Sequence, residues 1–271
     1  MLEFPIDVKM FKRFALGIFL VIAALGVIFF GLDILDVAED FRIYLPTRIL
    51  DTAFISAVAV PVAYIAARSF LLTGSRQMLW LGCGALAFGI GISLREWLVV
   101  EELNVPITLF NSTALIASVT HLTGASLSIA KLGTPKSELR RRLRTVPFYY
   151  LGILASISLV TLLTFRGLIP PFYVPEESST QLKDIVRGIA TFFFLASTSI
   201  YMIVYYKSRN DFLYWYSLGL MLFAFGLISI FLGENYSRIV WLGRASQYVG
   251  SVYFLVAVLG AYRQASARNR E

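Results

Sequence analysis

An all-α, polytopic membrane bundle of eight transmembrane helices, with the N-terminus and C-terminus both cytoplasmic, is the fold this sequence predicts. Three observations predict it. Hydrophobic residues make up 58% of the 271, above the ~45–50% usual for soluble domains. The charged 15% falls in clusters between apolar runs, each long enough to cross a bilayer, which takes ~20 residues. With the N-terminus placed inside, the inside segments hold sixteen of the 24 lysines and arginines but only five of the 17 acids. That asymmetry is what the positive-inside rule demands, and an odd number of spans would break it.

The spans are expected at 14–35, 48–72, 77–99, 104–130, 146–166, 185–206, 212–233 and 238–262. Residues 1–13 form a cytoplasmic segment, 14–262 the eight-helix domain, and 263–271 the start of a cytoplasmic linker to an output module. The first run is flanked by Lys12 and Arg13 and lacks a small-residue cleavage site, so it reads as an anchor beside a seven-helix body. In the second, Asp51 sits about one turn in, with Arg48 three residues earlier, and Pro61 predicts a kink. The third has a small face of Gly82, Ala85, Gly89 and Ser93 that leads to Glu96, beside Arg95 and the interfacial Trp97. The fourth is the most polar. Asn111, Ser118, His121 and Ser128 share a face that Thr113, Thr120 and Thr123 widen, so this face looks into the bundle. His121, the sole histidine, is expected near mid-membrane.

The run ELRRRLR precedes the fifth span and is the strongest inside signal. The loop after that span, rich in proline, connects on the outside; it reads first as a simple connection, with a lid over the outer mouth as the alternative. The sixth span puts Arg187, Phe194 and Tyr201 on nearly one face. The seventh carries Gly219, Gly226 and Gly233 at heptad spacing with Ser229 between, a close-packing seam. Trp215, with Tyr214 and Tyr216, marks its inner interface, and Glu234 closes it outside. In the eighth, Trp241, Arg244, Tyr248 and Ser251 share one face, while Gly243, Ser246 and Gly250 make a small face. This helix meets no proline before its basic tail, so it leaves the membrane still helical. The tail is short, which suggests an attached module.

Several chemistries lack their residues. Retinal needs a lysine in mid-span, and none is there. Bis-histidine haem and a zinc site need more than one His and one Cys. No nucleophile or metalloprotease motif is present, and Asp51 has no second intramembrane aspartate to face. No cofactor, no metal and no enzyme activity are expected in this chain. The net charge of +7 is a topology signal, so no nucleic-acid partner is expected.

The stretch DFLYWYSLGLMLFAFGLISIFLG, followed by WLGRASQYVGSVYFLVAVLGAYR, resembles the multi-spanning membrane sensory domains that precede PAS and histidine-kinase modules in archaeal and bacterial signalling proteins. Trp215, Tyr216, Gly226, Trp241, Gly243, Arg244, Gln247, Gly250 and Tyr253 carry the resemblance, over roughly the last third of the chain. It implies a plasma-membrane sensor whose last helix feeds a cytoplasmic output of the two-component kind. No PAS or kinase sequence is present here, so any kinase activity would reside elsewhere. The implied partners are the lipid bilayer, a small ligand or lipid of unknown identity, the output module and a second copy of the chain. A small-solute transporter and a structural membrane protein are the competing readings.

An arginine two turns inside a span needs a counter-charge or an anionic ligand. Arg244 therefore anchors the expected site, an outward-facing, charged and aromatic-lined pocket. Trp241, Gln247 and Tyr248 come from its own helix; Asp51, Arg95, Glu96, Arg187 and Glu234 lie at similar depth, and His121 lies deeper.

Overall fold

Helix ends in this chain follow local stop signals. The computed structural model describes residues 16–17, 20, 23–24, 27, 44–98, 102–129, 139–174, 180–233 and 237–268. Helix α1 is continuous in three stretches: Tyr44–Asp51, a π-helical turn Thr52–Ser56, and Ala57–Thr73. It stops at Gly74, whose left-handed φ of 74° lets its N–H reach the Phe70 carbonyl at 2.7 Å, the usual glycine termination. Then follow α2 (Arg76–Trp97), α3 (Asn104–Ile129), α4 (Leu139–Phe165), α5 (Gln181–Ser208), α6 (Asp211–Leu232) and α7 (Arg238–Arg268). Thr180 caps α5 by accepting from the Lys183 N–H, and Asn210 caps α6 by accepting from the Phe212 N–H.

All seven helices are long and apolar enough to cross a membrane. The first predicted span, 14–35, lies mostly outside the described residues. Leu16, Gly17, Leu20, Ala23, Ala24 and Val27 are helical, and Gly17 packs against Tyr214 and Leu218 of α6.

Six helices form a closed ring. In order these are α1, α2, α3, α5, α6 and α7, with α7 packing back onto α1. Helix α4 stands outside, against α1, α2 and α3, and its flank of Phe148, Leu151, Leu159 and Leu162 is exposed. In a bilayer that flank meets lipid. The core is continuous through the ring and rich in aromatics, with Phe88, Phe194, Phe223 and Phe254 meeting near the centre.

Small residues set the spacing. The single small face expected on α2 proved to be one of two. Gly82 and Gly89 face Ala66 and Ala59 of α1, while Gly84 and Gly91 face His121 and Thr113 of α3. Helix α2 is buried on nearly every side because it packs between two neighbours, so glycine is needed on both flanks. The seam expected between the last two helices is present. Gly219 meets Gly250, and Gly226 meets Gly243, close enough that an added methyl at any of them would strike the other helix.

One boundary and the direction of one side chain differ from expectation. Helix α4 begins at Leu139 and not at 146, because the arginine-rich run is itself helical; long arginines reach the interface from a helix end without breaking it. Helix α7, as expected of a run that meets no proline, stays helical past the span, to Arg268. Tyr216 is fully buried, because one residue's rotation from Trp215 points it into the ring.

Candidate functional site

The end of the bundle that carries the α1 start, the α2 end and the α7 start gathers the expected charges. Asp51 is the hub. It is 1% exposed, a depth at which an unpaired carboxylate would be prohibitive. Arg95 of α2 donates from Nη2 to Asp51 Oδ2 at 2.5 Å, and Arg244 of α7 donates from Nη1 to the same oxygen at 2.7 Å. The Tyr248 hydroxyl donates to Oδ1 at 2.5 Å. Arg95 also donates from Nε to Glu96 Oε1 at 2.6 Å. Two carboxylates and two guanidiniums thus form a formally neutral cluster that joins α1, α2 and α7.

Aromatic faces line it. The Arg95 guanidinium lies 4.6 Å from the centroid of Phe110 of α3, and that of Arg244 lies 5.9 Å from the centroid of Trp241. Such stacking favours arginine over lysine. Phe54 stacks on Tyr248 with centroids 5.5 Å apart. Phe54 belongs to the π turn that begins just after Asp51. Its wider coil also brings Thr52 to accept from Trp97 Nε1 at 2.7 Å and Ser56 to donate to the Gly89 carbonyl at 2.8 Å. Single π turns of this kind recur at functional sites.

Arg187 of α5 is buried beside the cluster. Its Nε donates to Asn111 Oδ1 at 3.2 Å and its Nη1 to the Ile230 carbonyl near the end of α6 at 3.4 Å. The α6 C-terminus bears partial negative charge, which suits a cation there. At the same end, Asn104 Oδ1 accepts from the Phe172 and Tyr173 N–H groups at 2.8 and 3.0 Å, which ties down the loop after α4 and buries Phe172.

Of the residues expected in one pocket, the structure brings together Asp51, Arg95, Glu96, Trp241, Arg244 and Tyr248, with Arg187 adjoining through Asn111. Two stand apart. Gln247 points into the α6–α7 seam against Gly226, one residue's rotation from the Arg244 face. His121 accepts or shares a hydrogen bond with Tyr216, Nδ1 to the hydroxyl at 2.6 Å, among Phe194 and Phe254. Glu234 lies outside the described residues. Arg48, three residues before Asp51 on the same helix, is not among its partners. Thr123 bonds back to Val119 at the margin of the buried face. Asn111 was placed on the right face, but Phe54, Phe110 and Asn104 were not singled out, because an apolar ring or an amide at a helix start gives no distinguishing signal in sequence.

The His121 contact makes a testable distinction. Glutamine can replace one imidazole hydrogen bond to Tyr216, and leucine cannot. His121→Leu is expected to be less stable than His121→Gln by about 1 kcal/mol, the scale of an interhelical bond inside a membrane protein. Equal melting temperatures of the two variants would mean the contact contributes nothing.

The family model of MASE3, a membrane-associated sensor domain, matches residues 40–264. The chain belongs to this family of membrane sensor domains. The match spans all seven described helices up to the last turn of α7, and it leaves out the first apolar run. No curated protein and no solved structure matches the chain. The MASE3 domain is thus a multi-pass membrane sensor, and the charged cluster lies wholly within the matched region.

Proposed function

We propose that the MASE3 domain senses at the Asp51 cluster, that this end of the bundle faces outside the cell, and that α7 passes the change to a cytoplasmic output module of the histidine-kinase or PAS kind. The orientation rests on charge. Arg76, Arg140, Arg141, Arg142, Arg144, Lys207, Arg209 and Arg263 all lie toward the opposite end, which the positive-inside rule assigns to the cytoplasm. With the first run as an eighth span, both termini are cytoplasmic.

One observation carries the sensing role. Arg244 spends a single nitrogen on Asp51, and its other N–H donors have no partner among the described residues. A guanidinium with an open edge beside an indole suits the carboxylate or phosphate of a small ligand or lipid. Such an anion would compete with Asp51 for Arg244, and the two bound states would differ in how α7 meets α1. Helix α7 then runs unbroken to Arg268, so a shift at its start is delivered at its far end.

Two measurements test this. An impermeant thiol reagent applied from outside should label single cysteines at 36–42, 100–103 and 173–180, the buried Phe172 being left out of the set, and should leave Glu138→Cys untouched; labelling at 138 refutes the orientation. The second uses Cys83→Ala protein with spin labels at Ala267 and Arg140. Arg244→Lys keeps a cation but loses the fork, and should displace the α7 end by about 1–2 Å, the scale of signalling helix shifts. Superimposable distance distributions would disconnect the cluster from the output end.

A further inference from the structure

The arginine-rich start of α4 does more than set orientation. Arg142 donates from Nη1 to the Leu71 and Leu72 carbonyls at 3.1 and 3.2 Å and packs against Gly74. It therefore fastens α4 to the turn between α1 and α2. This leaves its neighbours on the helix, Arg141 and Arg144, facing a cleft of about 370 Å³ between α4 and that turn. Arg76, the first residue of α2, faces the cleft from the other wall. Among the described residues the lining holds three arginines and no acid. None of the three guanidiniums has a hydrogen bond or an ion pair among the described residues. Arg76 stands at the N-terminus of α2, where the helix dipole is positive.

Apart from Thr145 and Gly74, the rest of the lining is aromatic. Phe70 forms part of the floor, Tyr149 is braced by Trp80 at 4.9 Å between centroids, and Phe148 projects outward at 76% exposure. Arg141, Arg144, Thr145 and Phe148 follow one face of α4, so cations give way to an aromatic within two turns. A soluble anion would have no use for that exposed ring, whereas an amphiphile with a phosphate head and acyl chains matches both halves. Helix α4 stands outside the ring and is held lightly, so a ligand here would also brace it.

We propose that this cleft binds the phosphate headgroup of an anionic lipid in the cytoplasmic leaflet, with Arg76, Arg141 and Arg144 on the phosphate and Phe148 against the chains. Basic clefts between spanning helices on the cytoplasmic side are suited to such headgroups. The site lies at the opposite end from the Asp51 cluster and does not depend on sensing there.

The test is lipid binding to the full chain in neutral detergent, read by native mass spectrometry. Phosphatidylglycerol should bind more tightly than phosphatidylcholine. Arg141→Gln and Arg144→Gln should each weaken phosphatidylglycerol binding about fivefold, the effect of one basic residue at a membrane surface. Arg140→Gln removes the same charge outside the cleft and should bind like wild type. Both cleft variants should melt as wild type does in lipid-free detergent, because neither guanidinium holds a protein group. Any of four results overturns the proposal: equal binding of the two lipids, an Arg140→Gln loss as large as that of Arg144→Gln, unfolding of the cleft variants, or displacement of phosphatidylglycerol by soluble glycerol phosphate at equal concentration. The last would make the ligand a soluble phosphate.

Discussion

Asp51→Asn is expected to destabilise the domain by about 3–5 kcal/mol, the scale of removing one partner from a buried ion pair. The carboxylate serves two guanidiniums and a phenol at once. Without it Arg95 keeps Glu96, but Arg244 keeps only the Trp241 face among the described residues. The reverse substitutions should cost less. Arg244→Gln leaves Asp51 with Arg95 and Tyr248, and Arg95→Gln leaves it with Arg244 and Tyr248. Unfolding of purified protein in mixed micelles can rank the three. The hub assignment predicts that the aspartate variant is the least stable; an Arg244→Gln loss as large as that of Asp51→Asn would move the hub to the arginine.

The second large effect concerns the seam that carries α7. Gly243→Leu is expected to cost about 3 kcal/mol, the upper part of the usual range for overpacking. Even a methyl there would stand 2.5 Å from the Ser229 Cβ and 3.0 Å from the Gly226 backbone oxygen. The oxygen belongs to a helix backbone and cannot rotate away, so the helices must separate. Gly152 of α4 is the control, with nothing within 4 Å of an added Cβ. Gly152→Ala should be neutral or slightly stabilising, since glycine costs ~0.5–1 kcal/mol in a helix. If both substitutions had the same effect on thermal stability, close approach of α6 and α7 would not be what holds them.

The charge cluster and the packing of α7 are linked through these two features. Arg244 lies next in sequence to Gly243, so the residue that meets Asp51 and the residue that sets the α6–α7 distance share a turn. A change in the charge cluster therefore acts on a helix that meets α6 at close backbone approach. Helices spaced by glycine slide with few rotamer changes, which fits a domain of the MASE3 sensor family.

By itself the sequence determined the material and the coarse plan: membrane-spanning helices, their approximate limits, the polar face of α3 and the glycine seam of the last pair. These follow from local quantities, since hydropathy is summed along one segment and helical spacing is counted along one helix. It also marked the charges that had to be dealt with, because a lone ionised group inside a span is costly wherever the chain goes. Only the tertiary structure decided which charge answers which. Arg48 is three residues from Asp51 and is not its partner, whereas Arg244 is 193 residues away and is. Depth along a span is legible in sequence, but the order of helices around the ring is not. The same holds for Gln247 and Tyr216, each one residue from a face that pointed elsewhere. Their direction depends on which neighbour each helix packs against, and that is a property of six helices closing on one another.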